Sequence, residues 1–232
     1  MKIDLHIHSI ASGHALPSVY EIISFAKNNG LTHIGITENG PAMEGAPHEG
    51  YFDVYIQFPN HLYDVNIYLG IEANILDING TLDISSNTAS YQKIISAGIH
   101  ERTPYSCNDT ISNTEAIINA ITNSKCHIIT HPYREHVKTN LSEIANEAIK
   151  KGVLLEINNR IFSSPSQELL DEYNKMMKII KSNKGFVIIG SDSHILETIG
   201  DDSAIQKYAS YIGLTDEVII NNKPDILGEF IL

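Results

Sequence analysis

The opening stretch MKIDLHIHS (residues 1–9) combines the pattern of an apolar strand with two histidines, His6 and His8. Successive side chains of a strand point to opposite faces, so His6 and His8 point in the same direction. Two imidazoles on one face are poor core residues, because each ring carries a polar nitrogen that needs a partner. They are well suited to bind a metal ion, so the stretch predicts a first strand that ends in a ligand pair.

Six further apolar runs follow, and helical segments alternate with them along the chain. Strands are predicted at residues 3–8, 32–37, 67–75, 93–100, 125–131, 153–159 and 185–194. The main helices are predicted at residues 17–29, 51–63, 114–123, 141–151 and 166–182, with a hairpin at 77–84. Continuous apolar strands between helices indicate a parallel α/β sheet, and repeated right-handed crossovers favour a closed barrel of a single domain, residues 1–232. A doubly wound open sheet is the alternative.

Every predicted strand delivers polar or ionisable side chains near its carboxyl end. In a parallel barrel these ends converge on one face, where active sites form. Imidazole and carboxylate together are the ligands of zinc, manganese or iron, and a glutamate among histidines can bridge two cations. The side chains at the strand ends are those of His6, His8, Thr37, Glu38, Asn39, Glu72, His100, His131, Glu156, Asn158, Asp192, Ser193 and His194.

The remaining histidines are assigned to other places. His33 and His127 begin two of the strands and are predicted to be structural. His61, in a predicted helix, and His136, in a loop, are predicted to lie on the surface. His48 lies in the Gly/Pro-rich loop after the second strand and could overhang the site, since such loops often carry specificity.

Composition narrows the classes of partner and compartment. The formal net charge of −12 disfavours binding to long nucleic acids, which depends on Lys and Arg. No apolar run approaches the ~20 residues of a membrane-spanning helix, and the first apolar stretch is unlike a secretory signal, so we expect a cytoplasmic protein without a membrane partner. Cys107 and Cys126 show neither a metal-type spacing nor a disulfide frame and are predicted to be ordinary small side chains.

The segments DLHIHS, TENG, GIEAN, AGIHE, ITHP, LEINN and GSDSH follow one another in the order found in the PHP (polymerase and histidinol phosphatase) family. The chain resembles this family over roughly residues 2–200, and most closely its stand-alone phosphatases of the YcdX type. The resemblance implies a distorted seven-stranded TIM-like βα barrel, in agreement with the strand count. It also implies two or three divalent metal ions, zinc first, with manganese or iron as alternatives.

The same resemblance assigns the metal ligands. It implies a first metal on His6, His8, Glu72 and Asp192, a second on bridging Glu72, His100 and His131, and a third on His14, Asn39 and His194. The family has Asp-His where this chain has Glu38 and Asn39. A neutral amide oxygen is a weaker zinc ligand than imidazole, so the third site is expected to be looser. Glu38 could reach inward to compensate, although adjacent strand residues point to opposite faces.

The ligand set and the resemblance predict a metal-dependent phosphatase acting on a small-molecule phosphomonoester. A water or hydroxide that bridges the metals would attack phosphorus in line. Asp192 would also orient this nucleophile, and His194 or a water would protonate the leaving group. Arg134 is the first candidate to bind the phosphate, with Arg102 and Arg160 as the other candidates, because guanidinium binds phosphate bidentately.

Other functions stay open at this point. A phosphodiesterase or exonuclease acting on nucleotides or short nucleic acids is disfavoured by the acidity of the chain. A non-catalytic metal-binding module, with Asn39 marking a site kept for structure or sensing, is disfavoured by the other eight ligands. A hydrolase of C–N bonds is a further outlier, because such barrels usually bring a coordinating lysine and no predicted strand ends in Lys.

Overall fold

The computed structural model describes residues 1–105 and 108–231, so Cys107 lies outside the described residues. Strands β1 to β8 cover Ile3–Ile7, His33–Asn39, His61–Leu62, Val65–Asn74, Ile94–Gly98, Ile128–Ile129, Leu154–Asn158 and Val187–Gly190. Helices α1 to α8 cover Val19–Asn28, Ser86–Ala89, Thr110–Asn123, Leu141–Lys151, Gln167–Ser182, Ser203–Gln206, Ala209–Ile212 and Pro224–Leu227. Short 3-10 helices cover Ile10–Ser12, Glu49–Gln57, Arg160–Ser163, Leu196–Thr198 and Ile220–Asn222.

Seven strands form one parallel sheet in the order β1-β2-β4-β5-β6-β7-β8, and β3 pairs antiparallel with β4. The segment after β8 returns to β1 through a parallel bridge between Ile7 and Ser193. There the His8 amide donates to the Ser193 carbonyl at 2.9 Å. The sheet is therefore nearly closed, and the predicted distorted seven-stranded TIM-like barrel is confirmed.

Helices cover the outside of the barrel and hold the strands in place. Helix α5 illustrates the pattern, because its apolar side chains recur every three or four residues and form one buried stripe. Full burial of one such side chain contributes about 1.5–3 kcal/mol. The stripe consists of Leu169, Leu170, Tyr173, Met176, Met177 and Ile180.

Capping residues set the helix boundaries that the sequence pattern left open. Helix α1 begins after Ser18, which forms a capping box with Glu21. Helix α3 begins four residues earlier than predicted, because the Asp109 side chain accepts hydrogen bonds from the first-turn amides. Helix α4 has the predicted bounds and ends at Gly152, which adopts the left-handed conformation with φ 69°.

The helix predicted over residues 51–63 is wrong. A 3-10 helix covers Glu49–Gln57, and the chain then forms the short strand β3. Pro59 has no amide hydrogen and disfavours the helical conformation at Phe58, which is extended at φ −84° and ψ 137°. His61 therefore lies in a strand and not in a helix, although it is exposed as expected.

Several other segments are shorter than predicted, and the strand predicted at 185–194 covers only Val187–Gly190. The hairpin at 77–84 is reduced to one antiparallel bridge between Ile75 and Leu82, and the strand at 125–131 pairs only over Ile128–Ile129. Cys126, at the start of that segment, is buried, and burial raises the pKa of its thiol to about 11. Within the described residues no helix is both long enough and apolar enough to span a membrane. The cytoplasmic location stays a prediction.

Candidate metal centre

The nine predicted ligands lie at one mouth of the barrel. All seven parallel strands direct their carboxyl ends to this mouth, and the ligands lie on these ends or on the segments that follow them. Eight of the nine line a cleft of about 330 Å³, and His6 is buried beside His8. The lining ligands are His8, His14, Asn39, Glu72, His100, His131, Asp192 and His194.

A first group of ligand atoms is formed by His6, His8 and Asp192. One ligand atom from each lies within 4.8 Å of the others. The Nε2 atoms of the two histidines are 3.1 Å apart, and Asp192 Oδ1 lies 3.8 Å from that of His6 and 3.5 Å from that of His8. Two imidazole nitrogens and a carboxylate oxygen therefore converge on one point.

The other ring nitrogen of each histidine is held by an acceptor. His6 Nδ1 lies 2.6 Å from Glu156 Oε1. His8 Nδ1 lies 3.0 Å from the Ser12 hydroxyl, which itself donates to Glu38 Oε2 at 2.5 Å. Each Nδ1 therefore carries the hydrogen, and in a neutral ring the lone pair is on Nε2.

This arrangement fits a cation. Two Nε2 lone pairs that face each other and a carboxylate repel, unless a proton or a metal ion lies between them. Burial lowers the pKa of His6, but the carboxylates of Glu156, Glu72 and Asp192 outweigh it and hold that pKa well above its usual value. A divalent cation can replace this proton, because it satisfies all the converging lone pairs at once.

A second group consists of Glu72, His100 and His131, whose ligand atoms also lie within 4.8 Å of one another. Glu72 Oε1 lies 3.1 Å from His100 Nε2 and 2.9 Å from His131 Nε2. The same carboxylate reaches the first group, with Oε1 3.3 Å from His6 Nε2 and Oε2 3.4 Å from His8 Nε2. Glu72 therefore lies between the two groups, where the bridging role was predicted.

The carboxylates of both groups are ionised. Burial raises the pKa of Glu72, but His6 and His100 outweigh it and bring that pKa well below its usual value. Burial likewise raises the pKa of Asp192, and His6 and His8 bring it well below the ordinary range. Both groups therefore offer negative oxygens to a cation at neutral pH.

A third, more open cluster contains His14, Asn39 and His194. The ring centroids of His14 and His194 are 4.8 Å apart, and Asn39 Nδ2 lies 3.4 Å from His14 Nε2. Burial and the nearby His8 lower the pKa of His14, and the same two causes lower the pKa of His194 to about 4. Both rings are neutral at pH 7 and can act as ligands, whereas Asn39 adds only an amide.

Two predicted ligands have strained backbones. His131 has φ 31° and Asp192 has φ 53°, in the left-handed region that costs a non-glycine residue about 1–3 kcal/mol. Hydrogen bonds hold the His131 backbone and the Asp192 side chain: the His131 amide donates to Glu156 Oε2 at 2.7 Å, and Asn158 Nδ2 donates to Asp192 Oδ2 at 3.1 Å. Such strain is typical of functional sites.

Glu38 does not reach inward beside Asn39, so that hypothesis is wrong. Its carboxylate accepts hydrogen bonds from the amide and hydroxyl of Ser9 and from the hydroxyl of Ser12. The alternation of side chains along β2 explains the result, since Asn39 faces the cleft and Glu38 faces the loop after β1. Glu38 therefore acts on the centre through Ser12 and His8, not as a ligand.

The three candidate arginines differ in their position relative to the cleft. Arg134 and Arg160 line the cleft, whereas Arg102 is exposed and is not among the described residues that line it. His136 was predicted only as a surface residue, and its side chain is 48% exposed, yet it also lines the cleft and pairs with Glu101 at 3.0 Å. The walls of the cleft are therefore basic.

The remaining histidines have structural partners or lie outside the cleft. The Ile95 amide donates to His127 Nδ1 at 2.9 Å, and Asn66 Nδ2 lies 3.1 Å from His33 Nε2. These contacts fit the predicted structural roles of His33 and His127. His48 precedes the first 3-10 turn after β2 and is not among the described residues that line the cleft.

Sequence reasoning missed the residues that hold the ligands. The sequence identifies Glu156 and Asn158 only as polar residues at a strand end, and it does not identify Ser12. The alternation of side chains along β7 places Glu156 and Asn158 on the same face, and this alternation can be predicted from the sequence. No sequence pattern indicates that Ser12 approaches His8, because that contact depends on the fold of the loop after β1.

Comparison with known proteins places this centre in context. The sequence profile of the PHP domain matches residues 4–223. A probable phosphatase of Clostridium novyi (strain NT) is 36% identical over 220 residues, covering 94% of this chain and 89% of that protein.

Two solved structures resemble the chain in fold. One is histidinol phosphate phosphatase from Lactococcus lactis subsp. lactis Il1403, solved with zinc, L-histidinol and phosphate; its TM-score is 0.58 at 20% identity, over 91% of this chain and 92% of that one. The other is a Listeria monocytogenes protein assigned as a histidinol phosphatase, with a TM-score of 0.59 at 15% identity, over 90% and 100% of the chains. At these identities the structures show a shared fold.

Proposed function

Because the chain belongs to the PHP domain family, we propose that it is a metal-dependent phosphatase that hydrolyses small-molecule phosphomonoesters. The observation that carries the proposal is the position of Glu72, whose two oxygens lie within 3.4 Å of histidine nitrogens from both ligand groups. A shared carboxylate between two clusters of imidazole is suited to a pair of cations. The relative from Clostridium novyi, a probable phosphatase, supports this reading.

We assign two or three divalent metal ions to the centre, with zinc as first choice and manganese or iron as alternatives. When bound, such cations activate water near neutral pH and neutralise charge on phosphoryl oxygens. The zinc in the Lactococcus lactis structure supports the choice of metal. The proposed ligands are His6, His8, Glu72 and Asp192 for the first ion, Glu72, His100 and His131 for the second, and His14, Asn39 and His194 for the third.

Residues of the chain complete the reaction. Arg134, whose guanidinium contacts His131, binds oxygens of the reacting phosphate. Asn158 holds one oxygen of Asp192, so the other is directed to the centre, where Asp192 also orients the attacking water. The pKa of His194, about 4, keeps its ring neutral, which favours a ligand role over its predicted role as proton donor.

The cleft favours a small ester. Its volume of about 330 Å³ is at the lower end of the range for small-molecule sites, ~300–1,000 Å³. The net charge of −12 also disfavours a long nucleic acid. A nucleotide or another short phosphate ester is compatible with both observations.

Phosphate release from a substrate panel tests the proposal. Protein loaded with zinc or manganese is incubated with sugar, nucleotide and amino-alcohol phosphates and with a phosphodiester. We expect monoester hydrolysis that is lost in Asp192→Asn, with Lys151→Gln as an exposed control on the opposite end of the barrel. Preferential cleavage of the diester would favour a phosphodiesterase. Bound metal without turnover of any ester would favour a non-catalytic module.

A further inference from the structure

We infer that the cleft selects phosphomonoesters whose alcohol part carries a second anionic group, and that Arg160 binds this group. The inference rests on the proposed function and names its substrate class. It follows from the charges that line the cleft and from the partners that each arginine has.

The walls of the cleft are basic outside the metal ligands. Arg134, His136 and Arg160 line it, and among the described lining residues the carboxylates are those of Glu72 and Asp192. Both of these carboxylates belong to the proposed ligand set. Glu101 pairs with His136 at 3.0 Å but is not one of the lining residues.

Arg134 is directed at the reacting phosphate. One of its terminal nitrogens contacts His131 Nε2, beside the second ligand group. Its Nε atom is buried and has no hydrogen-bond partner within the described residues. A partly buried guanidinium next to the proposed metal centre is suited to phosphoryl oxygens.

Arg160 also lines the cleft, and its side chain is 59% exposed. Its Nη1 pairs with Asp192 Oδ1 at 3.2 Å and lies 3.1 Å from His194 Nδ1. His194 Nδ1 faces the Asp192 carbonyl at 2.9 Å, so it donates there and cannot accept from Arg160. The Nε and Nη2 donors of Arg160 have no hydrogen-bond partner within the described residues and can bind an anion in the cleft.

The stem of Arg160 is nevertheless held in place. Its amide donates to Asn158 Oδ1 at 3.0 Å, and the same Asn158 side chain donates to Asp192 Oδ2 at 3.1 Å. One buried asparagine therefore ties the base of Arg160 to a proposed ligand. The guanidinium, anchored beside Asp192, can bind a second carboxylate or phosphate of a substrate whose reacting phosphate lies at the centre.

The charges of the lining residues point in the same direction. Outside the proposed ligands Glu72 and Asp192, the permanently charged side chains that line the cleft are Arg134 and Arg160. A second anionic group on the alcohol would pair with a guanidinium. An amino alcohol such as L-histidinol, bound by the Lactococcus lactis relative, would instead bring a further positive charge, with no spare carboxylate among the described lining residues to meet it.

Matched substrate pairs test the inference on the metal-loaded, full-length protein. One pair is 3-phosphoglycerate against glycerol 3-phosphate, which differ in a carboxylate; the other is fructose 1,6-bisphosphate against fructose 6-phosphate, which differ in a phosphate. We expect kcat/KM to favour the member with the second anion by about 10- to 100-fold, the range for a charged hydrogen bond. The pair with the larger ratio identifies the preferred anion.

The variant Arg160→Gln should bring this ratio close to one, whereas Lys151→Gln, which removes an exposed charge elsewhere, should keep it. Loss of a residue that binds only the reacting phosphate would lower kcat/KM equally for both substrates of a pair and leave their ratio unchanged. A ratio near one in the wild type, or an unchanged ratio in Arg160→Gln, would overturn the inference while leaving a phosphatase. If metal-loaded wild type released phosphate from no ester, the proposed function itself would fail.

Discussion

Two buried carboxylates outside the proposed ligand set orient two of the proposed metal ligands. Glu156 holds His6 directly, and Glu38 holds His8 through the Ser12 hydroxyl. Both contacts fix the hydrogen on Nδ1 and direct Nε2 to the centre. Mutation of such hydrogen-bond partners commonly lowers metal affinity or activity by roughly 10- to 100-fold.

The Ser12 hydroxyl is therefore expected to control the first metal. The Ser12→Ala variant loses the hydroxyl that links Glu38 to His8. We expect its metal affinity to fall by about 10- to 100-fold. Ser9→Ala is the matched control, because Ser9 also donates to Glu38 but touches no proposed ligand. Competition for zinc with a chromophoric chelator measures both affinities. Equal affinities in the two variants would contradict the role of Ser12.

Asn39 is the weak member of the third cluster. Replacing it with histidine supplies the imidazole that the family resemblance implies at this position. We expect Asn39→His to hold a third metal equivalent at a lower metal concentration than the wild type, because imidazole is the better zinc ligand. Mass spectrometry under native conditions counts the ions. Equal third-site occupancy in both proteins would mean that Asn39 does not limit the site.

Most strands and helices could be predicted from the repeated apolar runs and helical periodicity of the sequence. Apolar runs and helix periodicity are local, so the seven parallel strands and helix α4 followed from the sequence. Convergence of the strand ends followed from the parallel arrangement, and the structure places Glu72 and Asp192 within 4 Å of His6.

The segments predicted poorly are those that depend on tertiary contacts. The region of residues 51–63 reads as a helix but contains Pro59, and strand pairing with β4 gives His61 and Leu62 another conformation. Glu38 could not be placed from the sequence alone, because its partners Ser9 and Ser12 lie 29 and 26 residues away. Such contacts form only after the barrel has closed.

Close packing of β4 against β5 supplies a test of the fold around Glu72. A Cβ on Gly70 would lie 1.9 Å from the Ile94 carbonyl oxygen, so Gly70→Ala must push the two strands apart. We expect the free energy of unfolding to fall by about 1–3 kcal/mol or more. Gly228→Ala, where a Cβ meets nothing within 4 Å, is the control. Urea denaturation with equal midpoints for both variants would contradict this packing.

For the whole molecule, metal binding is coupled to protons. The carboxylates around His6 overcome burial and raise its pKa well above 6.5, so the metal-free protein holds a proton there at neutral pH. That proton stabilises the metal-free fold at pH below about 6.5, and its contribution is lost as pH rises through the raised pKa. A metal ligand must be unprotonated, so the cation has to displace it.

We therefore expect proton release on metal uptake, and an apparent zinc affinity that increases as pH rises toward the pKa of His6. Calorimetric titrations in buffers with different ionisation enthalpies measure the released protons. The melting temperature of the metal-free protein should fall over the same rise in pH, while that of the metal-loaded protein should not. Zinc binding without proton release would show that His6 is already neutral.

We propose that two cations sharing Glu72 would make this barrel a phosphatase. Stepwise addition of zinc to the metal-free protein, with bound zinc and phosphate release from a monoester measured in the same samples, tests this proposal. We expect no activity without metal, and activity that reaches its full value as the second equivalent binds. Full activity in the metal-free protein, or two bound equivalents without phosphate release from any monoester, would rule the proposal out.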